Sequence, residues 1–161
     1  MKTLYLVRHA KAIDAKAGIN DFDRVLTVEG QEQAQEVAKT LNKDMALVDI
    51  ILASPAARAI STAEIIAKGL HHPTNQIKTI PKMFQPSLDD LIEIIVNIDP
   101  QNQYAMLVGH NPTISQLAQF LCYSVQMDLS PCGVIALTFD MQSWDEVINH
   151  RGTLLYIIQP K

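Results

Sequence analysis

The chain predicts a three-layer α/β/α sandwich around a mainly parallel sheet, as one domain spanning residues 1–161. Three observations point there. Short apolar runs alternate with stretches of helical periodicity, the pattern that builds parallel sheets covered on both faces. Ser54-Pro55 and Asn111-Pro112 each follow an apolar run directly, and each reads as a polar cap with proline at the start of a helix. Finally, Arg8-His9, Arg58 and His110 all stand at or just past the end of such a run. Ligands of open α/β sheets bind outside the carboxyl ends of the strands, so these side chains are placed to share one pocket.

In chain order, residues 3–7 read as a buried strand. Residues 11–25 read as a polar loop that holds Gly18, Asn20, Asp14, Asp21 and Asp23. Thr27 is a candidate N-cap, and beyond it Ala34, Val37, Ala38 and Leu41 recur at helical spacing. Residues 49–53 are the second strand. The helix after Ser54 has Ile60, Ala63, Ile66, Ala67 and Leu70 as its apolar stripe. Residues 68–75 form its end and a loop, and residues 77–80 read as a short strand. Ser87 caps a third helix with Leu88, Leu91, Ile92, Ile95 and Val96 turned inward, and Asp90 stands at the capping-box position. After a turn at 99–102, residues 104–108 form a central strand, and Asn111-Pro112 opens a helix that runs through Leu121. Residues 134–139 and 154–158 read as closing strands, joined by a polar connection through Trp144 and His150.

Composition narrows the function classes. The 161 residues carry a net charge of −4, with 48% hydrophobic and 19% charged residues. That balance fits a soluble domain and lacks the basic face that nucleic-acid binding needs, so any anion recognition is local. Cys122 and Cys132 have no CxxC spacing and read as small core thiols in a reducing compartment. No stretch approaches membrane-spanning length, and the first apolar run is too short for a secretory signal. The chain reads as cytoplasmic, with no membrane partner.

Two arginines and two histidines at strand ends suit a phosphoryl group. A neutral imidazole attacks phosphorus through one nitrogen when the other, as N–H, is held by a carbonyl or carboxylate. Arg8 beside His9 would lower the imidazole pKa by charge repulsion. Planar guanidinium forks on Arg8 and Arg58 match the three equatorial oxygens of a transferring phosphoryl group. Arg58 also falls in the first turn of its helix, where free N–H groups favour an anion, and His110 can donate to a remaining oxygen. Each residue taken alone reads more readily as a surface charge or a turn histidine; their shared placement carries the argument. Adjacent His71-His72 lacks the spacing of a metal-binding helix pair, and His150-Arg151-Gly152 precedes a strand and reads as a turn. There is no Walker loop, no GxGxxG and no GxSxG elbow, and no metal or cofactor is expected.

The segments LYLVRHAKA, DFDRVLTVEG, ILASPAARAISTAEIIA and YAMLVGHNPTIS together resemble the histidine phosphatase superfamily, and more narrowly its compact SixA-type phosphohistidine phosphatases. The resemblance runs from Met1 to about Leu121; the closing LLYIIQPK fits it less specifically. It implies that His9 is a nucleophile carrying a transient phosphohistidine and that Arg8, Arg58 and His110 complete the phosphate pocket. It also implies a phosphate contact for Arg24, whose other reading is a loop salt bridge. Asn111 is a further candidate contact, beside its capping role. Two departures stand out: Ala10 follows His9 where glycine gives the superfamily its R-H-G motif, and Val25 stands where proline is common.

The stretch at residues 80–87, where larger members place the general acid, contains no carboxylate. Asp14, Asp21 and Asp23 are the candidates left. An alkoxide leaving group needs a tuned acid, whereas an imidazole protonated on its other nitrogen departs as a neutral ring. The expected function is therefore a protein phosphohistidine phosphatase whose partner is a phosphohistidine-bearing protein, either a phosphotransfer domain or a carrier. The alternatives are a small-molecule phosphomonoesterase using one of the three aspartates and, less favoured, a non-catalytic phosphate-binding module.

Overall fold

Residues 2–8 enter the protein as its central strand, flanked on both sides, and everything else is arranged around it. The computed structural model describes residues 1–160; Lys161, the last residue of the expected domain, lies outside the described residues. The strands are β1 (Lys2–Arg8), β2 (Ile50–Ala53), β3 (Lys78–Thr79), β4 (Tyr104–Gly109), β5 (Val134–Phe139) and β6 (Thr153–Ile158). Among the described residues they form one sheet in the order β3-β2-β4-β1-β5-β6. The pairs β1–β4, β2–β4 and β2–β3 are parallel, while β5 and β6 are joined antiparallel. The sheet is thus mainly parallel with an antiparallel flank.

The helices are α1 (Val28–Lys43), α2 (Ala57–Gly69), α3 (Leu88–Val96) and α4 (Thr113–Leu121). Two-residue alternation along the strands divides the core between them. Tyr5, Val7, Ile51, Met106 and Val108 point to the face covered by α1 and α2. Leu4, Leu6, Leu52 and Leu107 point to the other, where α3, α4 and the fully buried Trp144 pack. Each such buried Leu or Ile contributes roughly 1.5–3 kcal/mol of transfer free energy, so a strand shifted by one residue would forfeit both faces.

The caps of α1 and α3 follow the sequence expectation. Thr27 accepts from Gly30 N, and Ser87 with Asp90 forms a reciprocal capping box. Four expectations are corrected. Ser54 does not cap α2: the helix starts three residues later at Ala57, with Ala56 as an N-cap that offers no side-chain bond. Asn111 does not cap α4 either, because Pro112 holds that position. The strand expected at residues 77–80 shrinks to Lys78–Thr79, since Ile80 already belongs to the turn that follows. The loop at residues 11–25 is more ordered than its polarity suggested. It carries a single 3₁₀ turn at Asp21–Asp23 and a bridge between Ala12 and Leu26.

Candidate functional site

The carboxyl ends of β1, β2 and β4 meet the first turns of α2 and α4 around a cleft of about 490 Å³. Arg8, His9, Asp21, Arg24, Arg58, His110 and Asn111 line it, with Phe84, Gln85 and Pro86 along one wall. The strand-end placement read from the sequence thus brings Arg8, His9, Arg58 and His110 into one cleft.

His9 is fixed by its own backbone surroundings. Its N–H donates to Gly109 O, and its carbonyl accepts from Cys132 N, both at 3.0 Å. Its Nδ1 lies 2.8 Å from the Ala10 carbonyl. A carbonyl only accepts, so Nδ1 carries the hydrogen and Nε2 presents a lone pair. That lone pair accepts from Arg58 Nε at 3.3 Å. Ala10 is held in turn by Thr62, whose Oγ1 accepts from Ala10 N at 2.9 Å and donates to Arg58 O at 2.7 Å. Thr62 is fully buried and was not anticipated; its position one turn after Arg58 in α2 is the signal that could have found it.

Arg58, 6% exposed, is the hub. Beside His9 it reaches the Asp21 carbonyl through Nη1 at 2.6 Å and the Asp21 carboxylate through Nη2 at 3.0 Å. The His110 Nδ1 is 3.4 Å from Nη2, and the rings of His9 and His110 stand 5.3 Å apart. On the far side, His110 Nε2 lies 2.7 Å from the hydroxyl of Ser54. Arg8 donates through Nη1 to Leu129 O at 3.0 Å, while its Nε is buried with no hydrogen-bond partner among the described residues.

Electrostatics keep both imidazoles neutral. His9 is pushed down to about 3, chiefly by burial, with His110, Arg58 and Arg8 adding repulsion against the opposing pull of the Ala10 carbonyl. Arg8 lowers it as its adjacency in sequence implies, though as the smallest of these causes. His110 is pushed down to about 4 by burial and then by Arg58. A neutral imidazole with a free lone pair is the protonation state that nucleophilic attack requires.

Of the three loop aspartates, Asp21 lines the cleft. Its carboxylate is split between Arg24 Nη1 at 2.8 Å and Arg58 Nη2 at 3.0 Å. The Arg24 bond, then Arg58, hold its carboxyl below the usual carboxylate range, so it stands here as an ionised counter-charge. Arg24 lines the cleft too, with its Nη1 donating to Asp21 and its Nε to Ile13 O, both at 2.8 Å. Asp14 and Asp23 are exposed and do not line the cleft. Asn111 borders the cleft with its amide turned inward: Nδ2 donates to Leu129 O at 2.9 Å and Oδ1 accepts from Ser115 Oγ at 2.6 Å. The stretch at residues 80–87 contributes Phe84, Gln85 and Pro86, none of which titrates. Among the described residues no helix is long and apolar enough to cross a membrane.

Comparison with known proteins agrees with this architecture. The sequence model of the histidine phosphatase superfamily (branch 1) matches residues 4–83, which contain Arg8, His9, Arg24 and Arg58. The structure is similar to the SixA protein of Agrobacterium tumefaciens, with a TM-score of 0.85, 26% identity and 99% of each chain covered. It is also similar to the SixA protein of Nakamurella multipartitia, with a TM-score of 0.87 and 21% identity over 99% of this chain and 96% of that one. A third likeness is to a protein histidine phosphatase SixA in complex with tungstate, with a TM-score of 0.83 and 20% identity over 98% and 97% of the two chains. The chain belongs to the histidine phosphatase superfamily and has the SixA-type form of its fold.

Proposed function

We propose that the chain is a protein phosphohistidine phosphatase acting through a phospho-His9 intermediate. The observation that carries this reading is the locked imidazole: His9 Nδ1–H is held on the Ala10 carbonyl, which leaves the Nε2 lone pair beside Arg58 in the cleft. One solved protein of the same fold is named a protein histidine phosphatase and was captured with tungstate, a tetrahedral oxyanion.

In the first step the Nε2 lone pair attacks phosphorus, a P–Nε2 bond forms and the bond to the leaving nitrogen breaks. Arg8, Arg58 and His110 take the phosphoryl oxygens, spreading the charge that develops on them. A substrate imidazole protonated on its distal nitrogen receives the electron pair of the broken P–N bond and leaves neutral. In the second step water adds to phosphorus, gives up a proton to solvent, and the P–Nε2 electron pair returns to His9. Neither step uses a metal.

The lack of a free acid in the cleft favours a phosphoramidate over an ester. The carboxylate there, Asp21, is ionised and shared between two guanidinium groups, which unfits it to donate a proton to an alkoxide. An imidazole, with a solution pKa near ~6.5, obtains its proton from solvent. The partner is a protein that presents a phosphohistidine on its surface, either a phosphotransfer domain or a phosphocarrier.

The test sets hydrolysis of such a phosphoprotein beside p-nitrophenyl phosphate, in the presence of chelator, with His9→Ala as control. Rapid loss of phosphohistidine with slow ester cleavage, both dependent on His9, is expected. Fast ester cleavage with an untouched phosphoprotein would overturn the substrate class, and turnover by His9→Ala would overturn the nucleophile.

A further inference from the structure

We infer that Ser54 is a positioning residue whose hydroxyl fixes the tautomer of His110, so that Nδ1–H points into the cleft as a donor to the phosphoryl group. The inference rests on the phosphate-binding reading of the cleft and adds a residue outside its lining.

Ser54 sits between β2 and α2, fully buried, and in sequence it reads as a helix cap. In the structure the helix starts later and the hydroxyl is used otherwise. Among the described residues Ser54 Oγ has two partners: it accepts from Ala56 N at 3.2 Å and lies 2.7 Å from His110 Nε2. A buried hydroxyl has one hydrogen to place, and an amide N–H cannot receive it. The imidazole nitrogen is the acceptor that remains. Ser54 therefore donates to Nε2, and a neutral His110 must then carry its hydrogen on Nδ1.

The opposite tautomer would leave the Ser54 hydrogen without an acceptor and turn a lone pair toward the cleft. It would gain only the contact of Nδ1 with Arg58 Nη2, which at 3.4 Å lies beyond the usual range. The 2.7 Å contact decides the proton's place. A free neutral imidazole prefers its hydrogen on Nε2, so without Ser54 the ring would present a lone pair to an oxyanion.

The test is the tautomer itself, read by long-range ¹H–¹⁵N correlation on protein labelled with ¹⁵N-histidine, with and without inorganic phosphate. The His110 resonances are identified by their loss in His110→Gln. The wild-type protein should show His110 protonated on Nδ1, and Ser54→Ala should move the hydrogen to Nε2. Inorganic phosphate binding and kcat/KM should weaken together by roughly 10- to 100-fold, the worth of one hydrogen bond to a charged group, and Ser54→Thr should restore both. Wild-type His110 protonated on Nε2 with phosphate bound would overturn the assignment, as would a folded Ser54→Ala that binds phosphate like the wild type. Should Ser54→Ala fail to fold, the wild-type spectrum alone decides. Phosphate binding with Nδ1 protonated, but no turnover of phosphohistidine, would uphold the role of Ser54 and sink the proposed function.

Discussion

The carboxylate of Asp21 lies 3.0 Å from Arg58 Nη2, occupying a donor group that faces the cleft between the two histidines. An incoming phosphoryl group carries the same kind of oxygen and must compete for that fork. Asp21 comes from the loop before α1 and Arg58 from α2, so a local loop conformation sets how available the phosphate clamp is.

Removing this competition should tighten anion binding. Asp21→Asn keeps the shape of the side chain but deletes its charge, and an ion pair whose carboxylate is half exposed is worth about 0.2–1 kcal/mol. Affinity for inorganic phosphate, followed by calorimetry, should rise up to about five-fold, with phosphohistidine turnover retained. A selective collapse of ester hydrolysis would instead identify Asp21 as a general acid.

Arg58→Lys should fail as a replacement. A lysine ammonium cannot hold the fork that spans His9, Asp21 and a phosphoryl oxygen at once. We expect kcat/KM to fall by about 10³-fold or more, the scale of a lost arginine at a transferring phosphoryl group. Circular dichroism checks that the fold survives.

The pH dependence of stability follows from the two imidazoles. Their pKa values are lowered in the folded protein, to about 3 for His9 and about 4 for His110, against ~6.5 when unfolded. Below ~6.5 the unfolded chain binds protons that the folded site refuses, so stability is present above that pH and is lost as pH falls toward those values. Each histidine should cost on the order of 1–2 kcal/mol between pH 7 and pH 5. Denaturant melts should show this loss, and His110→Gln should flatten it.

Thr62→Val tests the link between the nucleophile's loop and α2. The substitution conserves volume but strands the Ala10 N–H, buried and without an acceptor. A loss of about 1–3 kcal/mol in stability is expected, together with reduced kcat as the Ala10 carbonyl that holds His9 Nδ1 loosens. Urea titration and steady-state kinetics report the two effects separately.

The site was legible where strand ends dictate position and illegible where loops close on it. Arg8, His9 and His110 follow from apolar runs that are buried on both faces, so their approach to one edge is set by topology. Ser54 and Asn111 misled because a polar residue before proline reads as a cap; in the fold Ser54 serves His110, and Asn111 ties α4 to Leu129. The contact of Asp21 with Arg58 crosses 37 residues and depends on one 3₁₀ turn, which no periodicity announces.

The central claim is that phosphate passes through His9. Rapid-quench mixing with a ³²P-phosphohistidine protein, followed by alkaline workup and peptide mapping, tests it directly. The account predicts a labelled, acid-labile and base-stable species on the peptide that carries His9, formed at least as fast as phosphate is released and absent in His9→Ala. Steady phosphate release from a wild-type enzyme that never acquires label, even at the earliest quench times and under conditions that slow the second step, would contradict it.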